Sequence, residues 1–183
     1  MISFTPHTKY GRGFTLIETL VAVSLLVVAV AGPMSLAAQS LSSAFYARDQ
    51  VTAFHLAQEA VEAVRSVRDN NVLLNIEGTQ TDLLSGIPST DGDPFTIDTR
   101  DNTMTACISG TCGKLRNNGS LYGYGVGGNW ADTRFTRTVR VSMVDGGTDE
   151  IEVLVEVRWR SGAYQERSFT IAENLYRWVY DGT

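Results

Sequence analysis

One carboxylate, Glu18, sits near the front of a run of residues that only a lipid bilayer or a protein core could hold. Phe14 to Ala38 are 25 residues with no other charge. A lone carboxylate inside a membrane helix costs several kcal/mol if it stays charged and unpaired, so it marks a partner or a functional site. The plainer alternative is a carboxylate close enough to the membrane surface to snorkel into water. Other groups able to do chemistry are few. His7 and His55 are the only histidines, and no nucleophile elbow, phosphate loop or zinc spacing is present. Asp91-Gly92-Asp93, with Asp98 and Asp101, is acidic enough to invite calcium. It lacks the EF-hand spacing, however, and Gly92 and Pro94 suit an ordinary turn, so neither metal nor cofactor is assigned. No enzyme is indicated. Cys107 and Cys112, in CISGTC, read as a disulfide if the domain lies outside the cytoplasm and as free thiols if it does not.

The element that carries Glu18 must be a helix. At about 1.5 Å per residue the 25-residue run reaches roughly 37 Å, enough for a bilayer core of ~30 Å. The rest of the chain is too small to bury such a helix in a soluble core. Lys9 and Arg12 precede the run and the next basic residue is Arg48, so the charge bias puts the N-terminus in the cytoplasm and the C-terminal bulk outside. Beyond residue 13 the chain carries 13 basic and 20 acidic side chains. That balance offers no basic face for nucleic acid. A secretory signal peptide cut near Ala29, Ala31, Ala37 or Ala38 is the competing reading. Against it stand the length of the run and its passage into further helix. Gly32-Pro33 interrupts the run and predicts a kink or a short unwound stretch.

From Met34 to about Arg68 the composition still favours helix, which Arg68-Asp69-Asn70-Asn71 is expected to end. Leu41, Phe45, Phe54, Val61 and Val64 are expected to face the domain, and Gln58, Glu62, Arg65 and Asp69 solvent or other subunits. Residues 75 to 134 read as a long connection with short strands near Phe95-Thr96-Ile97 and Thr103 to Ile108. Leu121 to Trp130, LYGYGVGGNW, is either a contact surface or a loop whose rings fold over the sheet. Then Val139, Val141 and Met143 alternate with polar residues. After a turn at Asp145-Gly146-Gly147, Ile151, Val153, Val155, Val157 and Trp159 do the same. A second turn at Arg160-Ser161-Gly162 and a return over Gln165 to Ile171, Phe169 and Ile171 inward, complete an antiparallel meander.

Gly13-Phe14-Thr15-Leu16-Ile17-Glu18, after a short basic leader and before an apolar helix, resembles the processing site of type IV pilins and pseudopilins. The resemblance covers residues 9 to about 38 closely and the remainder by layout. It implies an α+β, pilin-like fold: a long N-terminal α-helix, membrane-spanning in its first half, packed on a C-terminal antiparallel β-sheet. It further implies cleavage between Gly13 and Phe14 by a prepilin peptidase and methyltransferase, N-methylation of Phe14, and pairing of Glu18 with the N-terminal amine of a neighbouring subunit. The organisation that follows is a leader over 1–13, a transmembrane and assembly helix over 14–38, its extracytoplasmic continuation over 39–71 and a β-rich domain over 72–183. Gly32-Pro33 falls earlier than the proline common in major pilins, and the CISGTC pair lies mid-domain rather than bracketing the C-terminal region. Both departures point to a minor subunit of a pilus or of a type II secretion pseudopilus. Its expected partners are other pilin subunits, the assembly machinery and, before assembly, membrane lipid. A single-pass anchored binding domain that never polymerises, using the Tyr-Gly loop to hold a ligand, is the alternative from another class.

Overall fold

The computed structural model describes residues 13–82, 84–144, 150–161 and 165–176. Residues 1–12 of the leader, with Lys9 and Arg12, lie outside the described residues, as do Asp145-Gly146-Gly147 and Gly162 of the two expected turns. The elements are a helix, α1 (Leu16–Ile76), and strands β1 (Phe95–Asp98), β2 (Thr103–Ala106), β3 (Lys114–Asn117), β4 (Tyr122–Gly123), β5 (Ala131–Met143), β6 (Glu150–Ser161) and β7 (Gln165–Tyr176). Two compact units divide the chain, the first ending at Phe45 and the second running from Tyr46, and α1 passes through both.

In the first unit the helix is exposed along its length. From Phe14, just ahead of the helix, to Leu36 the segment shows solvent thirteen large apolar side chains. Removing each from water is worth roughly 2 kcal/mol, so the segment forgoes about 25 kcal/mol unless lipid or other chains cover it. Thr19 and Ser24 donate their hydroxyls to the carbonyls of Leu16 and Val21, both at 2.9 Å, so neither brings an unmet donor into an apolar surround. The helix runs through Gly32-Pro33 without an unwound stretch. Pro33 lacks the amide that would bond the Ala29 carbonyl, a gap that local bending can absorb.

In the second unit α1 covers one face of the sheet. Its buried line is Asp49, Ala53, Leu56, Ala57, Ala60, Val61, Ala63, Val64, Arg68 and Asn71, at spacings of three and four. Of the residues expected on this face, Val61 and Val64 are buried, but Leu41 and Phe45 are exposed. Phe54 stands at the margin, its ring edge-on to Phe169 at 5.6 Å. The contact line is set by alanines, whose small side chains let the helix backbone approach the sheet, and a hydrophobicity pattern undervalues them.

The helix also outlasts its expected end at Asn70-Asn71 by more than a turn. It closes at Gly78, whose φ of 90° is open to glycine without strain. There the Gly78 amide donates to the Asn75 carbonyl (3.1 Å) and the Thr79 amide to the Leu74 carbonyl (2.9 Å), the paired bonds of a Schellman cap. Asn71 is spent on a tertiary contact, its Nδ2 donating to the Ser85 carbonyl at 2.9 Å.

The meander β5-β6-β7 is antiparallel, with Val139 opposite Val155 and Val157 opposite Phe169. Odd-numbered residues of β5 and β6 from Phe135 to Trp159 point to the helix, and the even-numbered ones away from it. The second edge of β5 is shared: β3 pairs with it from Ala131 to Thr136, and β1 at Val139. Strands at Phe95 and Thr103 match expectation. β3 and β4 were not legible in the loop-like stretch, because two to four residues joined across a register shift between Lys114 and Arg116 leave no run of alternation.

Candidate functional site

The segment around Glu18 begins in non-helical backbone. Gly13, Phe14 and Thr15 precede α1 and are exposed, and a Cβ at Gly13 would meet nothing within 4 Å. Thr15 is the N-cap: its Oγ1 accepts from the Glu18 amide at 3.3 Å, and its carbonyl accepts from the amides of Glu18 (3.1 Å) and Thr19 (3.2 Å). Glu18 is therefore in the first turn, where unpaired amides and the helix dipole favour an anion. Thr15-Leu16-Ile17-Glu18 is the S/T-x-x-E signature of a capping box, a local signal for Thr15 that a search for charged groups passes over. Between Gly13 and Arg48 Glu18 is the only ionisable side chain apart from Tyr46.

The other candidates fall into separate places. Cys107 and Cys112 are joined, with S–S 2.01 Å and Cα–Cα 4.8 Å. Between them Ser109 (φ 51°) and Gly110 (φ 75°) form a two-residue turn closed by the Thr111 amide on the Ile108 carbonyl.

Among the described residues no three acidic, histidine or cysteine groups converge as a metal site would need. Asp93 accepts from the Ser89 hydroxyl (3.1 Å) and Asp101 from the Thr103 amide (2.9 Å). Asp98 is buried and takes Arg100 bidentately, Nε at 2.9 Å and Nη2 at 2.6 Å, together with the Tyr124 amide at 3.0 Å. Gly123 makes room for this pair, since a Cβ there would stand 2.8 Å from Arg100 Nε. Burial alone would raise the Asp98 carboxyl. Hydrogen bonds from the Arg100 side chain and from the Tyr124 and Arg100 amides, with the charge of Arg100, outweigh it and hold the group at about 2.

Because this folded value lies below the ordinary carboxylate value, the stabilisation is complete above the unfolded pKa near 4 and is lost as pH falls from there toward 2. With Arg100 partly solvated, about 1–2 kcal/mol is at stake. Urea unfolding of the wild type between pH 6 and pH 2.5 should show that fall, and Asp98→Asn should remove its part of the slope. An unchanged slope in the variant would mean that other carboxylates carry it.

The rings of the Tyr-Gly loop turn inward, while Leu121 and Val126 stay exposed. Tyr122 meets Phe135 edge-on at 6.4 Å, and the Tyr124 hydroxyl donates to the Arg137 carbonyl at 3.4 Å. Trp130 lies beneath the Arg100 guanidinium at 4.6 Å and against Gly125, where a Cβ would come within 2.4 Å of the ring. This is the loop folded over its own domain. What sequence reasoning missed is Arg137, wholly buried on the inner face of β5.

α1 is long and apolar enough to cross a membrane. No curated protein and no solved structure matches the chain. One family model does, described as the prokaryotic N-terminal methylation motif, over residues 8–32, which takes in Gly13, Phe14, Thr15 and Glu18. A bond exposed ahead of a capped apolar helix, with a carboxylate in the first turn, is the setting this motif occupies here, and by it the chain carries the signal of the type IV pilins and pseudopilins.

Proposed function

We propose that this chain is a minor subunit of a type IV pilus or of a type II secretion pseudopilus. It acts by assembly, not by catalysis. The observation that carries the reading is the methylation motif over residues 8–32, set on exposed backbone that becomes helix at Leu16. A prepilin peptidase cuts between Gly13 and Phe14 on the cytoplasmic side, and the new Phe14 amine is methylated. Phe14 to Ala38 then hold the subunit in the cytoplasmic membrane, N-terminus inside, until it is drawn into a fibre. In the fibre the apolar surface that lipid covered is covered by neighbouring helices, and Glu18 meets the amine of an adjacent chain. A bend at Gly32-Pro33 adjusts the path of the helix. Residues 39–71 continue it outside, and the sheet domain faces outward.

The experiment is N-terminal sequencing and mass spectrometry of the mature protein purified from membranes. The expected terminus is a methylated Phe14. An intact Met1, or a cut after Ala38, would overturn the reading and leave a single-pass anchored domain or a secreted one.

A further inference from the structure

Charge is distributed unevenly along the strands of the sheet. Where β5 begins, β6 ends and β7 begins, with β3 beside them, residues 131–136, 157–161, 165–169 and 114–117 hold six bases against two acids, Asp132 and Glu166. The bases are Lys114, Arg116, Arg134, Arg158, Arg160 and Arg167. At the other end of the meander, residues 137–143, 150–156 and 170–176 hold Arg137 and Arg140 against Glu150, Glu152, Glu156 and Glu173. In a chain of net charge −5 a basic end is an exception. The register keeps it together: Arg116 is opposite Asp132, Lys114 is opposite Thr136, and Thr136 is opposite Arg158. Along the strands the group therefore covers four residues, roughly 14 Å.

Ion pairs within the chain leave part of this charge over. Asp49 takes Arg134 at 2.7 Å, while Asp132 takes Arg116 and Glu156 takes Arg158, both at 2.8 Å. Asp98, at the end of β1, is matched by Arg100 at 2.6 Å. Lys114, Arg160 and Arg167 are exposed and form no ion pair among the described residues. Arg167 lies over the Tyr46 ring at 5.3 Å. On the outer face Lys114, Thr136 and Arg160 line a groove of about 320 Å³ that also holds Glu166. An ammonium, a hydroxyl and a guanidinium fork are the donors that a phosphodiester accepts from.

The covalent chain limits what can lie against this end. α1 enters the second unit here, with Tyr46 beneath Arg167 and Asp49 against Arg134. Tyr46 follows Ala38 by eight residues. Even fully extended, that link reaches no more than about 28 Å, so the basic end stays within reach of the surface of a bilayer that holds residues 14–38. We infer that Lys114, Arg160 and Arg167 bind the anionic phospholipid head groups of the membrane that holds Phe14 to Ala38, before the subunit leaves it for a fibre. Lys114 and Arg160 take a phosphodiester in the outer groove, and Arg167 adds a cation on the inner side of the same end. The acidic end of the sheet is repelled by that surface, so the separation of charge orients the domain upon it. One copy is enough for the contact, which suits a minor subunit. The inference rests on the reading of residues 14–38 as a membrane anchor. An anion free in solution is a poorer occupant, because the net charge of −5 opposes its approach, whereas the membrane surface is already tethered.

The test reconstitutes the full chain, carrying a dye on Ser168→Cys, into vesicles of phosphatidylcholine alone or mixed with phosphatidylglycerol, each holding a nitroxide-labelled phosphatidylcholine as quencher. Cys107 and Cys112 are joined and take no dye. Quenching should be at least about threefold stronger in the anionic vesicles, and should fall to the phosphatidylcholine level in about 0.5 M salt, where charges more than about 4 Å apart are screened. Lys114→Gln with Arg160→Gln should remove most of the difference. Ser66→Glu with Asn70→Asp makes the same change in net charge at exposed positions of α1 and should leave the difference in place. All four positions are exposed, so folding should survive. Equal quenching in both lipids or equal loss in both double variants would overturn the contact. Release by inorganic phosphate beyond that by chloride at matched ionic strength would also overturn it, in favour of a free-phosphate site. Alkaline extraction of the same vesicles reports on the anchor separately: a chain that resists extraction yet ignores lipid charge sinks the contact alone, and one that is extracted sinks the anchor and the contact with it.

Discussion

Arg137→Ala should lower the stability of the chain by about 3–5 kcal/mol, a third or more of what a domain of this size ordinarily has. Arg137 is fully buried at an inward position of β5, between Phe135 and Val139. Its Nη1 donates to the Leu56 carbonyl of α1 at 3.0 Å and its Nη2 to the Ile97 carbonyl of β1, with Glu59 at 3.8 Å. One side chain thus ties the helix, the central strand and a short strand that pairs with β5 at a single position, Val139. Burial pushes the guanidinium pKa down, against the opposing influence of Tyr124 and Glu59, which means that the surroundings do not fully replace water. Truncation to alanine leaves a cavity and strips Ile97 of its donor, and both losses are large in a packed core.

Arg137→Met separates charge from volume. Methionine refills most of the space without a charge to desolvate, so it should stay within about 2 kcal/mol of the wild type. Urea unfolding of the full chain in detergent, followed by tryptophan fluorescence, compares the three proteins. Equal losses in both variants would mean that the hydrogen bonds dominate over packing, and a loss under about 1 kcal/mol for alanine would remove the clamp altogether.

Arg137 also shows where sequence reading stops. The alternation that reveals the meander is clean from Val139 onward because every inward residue is apolar. One step earlier a charge takes the inward place, and only acceptors from Leu56 and Ile97, distant in sequence, make it tolerable. The same limit hid β3 and β4, whose pairing is supplied by β5 and not by their own pattern. The helix end was legible but misread. Asn70-Asn71 has the composition of a stop, yet Asn71 is held by Ser85, and the residue that ends α1 is Gly78. By contrast the membrane-length run, the meander and the Gly13-Phe14 to Glu18 spacing were plain. Each is a local pattern whose physical cause lies within a few residues.

For Glu18 two physical roles compete, and they predict different variants. As a first-turn residue it complements the helix N-terminus, a contribution of about 0.5–1 kcal/mol that a glutamine can largely supply through its amide. As the partner of a neighbour's amine it must be charged, because a buried ammonium without a counter-charge is among the costliest groups a helix bundle can hold. If capping is its task, Glu18→Gln should enter fibres like the wild type, and only Thr15→Val should weaken the start of the helix. If pairing is its task, Glu18→Gln and Glu18→Ala should both fall by about tenfold or more, a loss of at least 1.4 kcal/mol per contact. We expect the second outcome. Membrane level and processing at Phe14 should be unchanged in both variants, so quantifying the subunit in sheared fibres and in membranes side by side isolates assembly. Blocking the cut, for instance with Gly13→Val, withholds the amine. On that background Glu18→Ala should cost nothing further, because the carboxylate then has no partner left to lose.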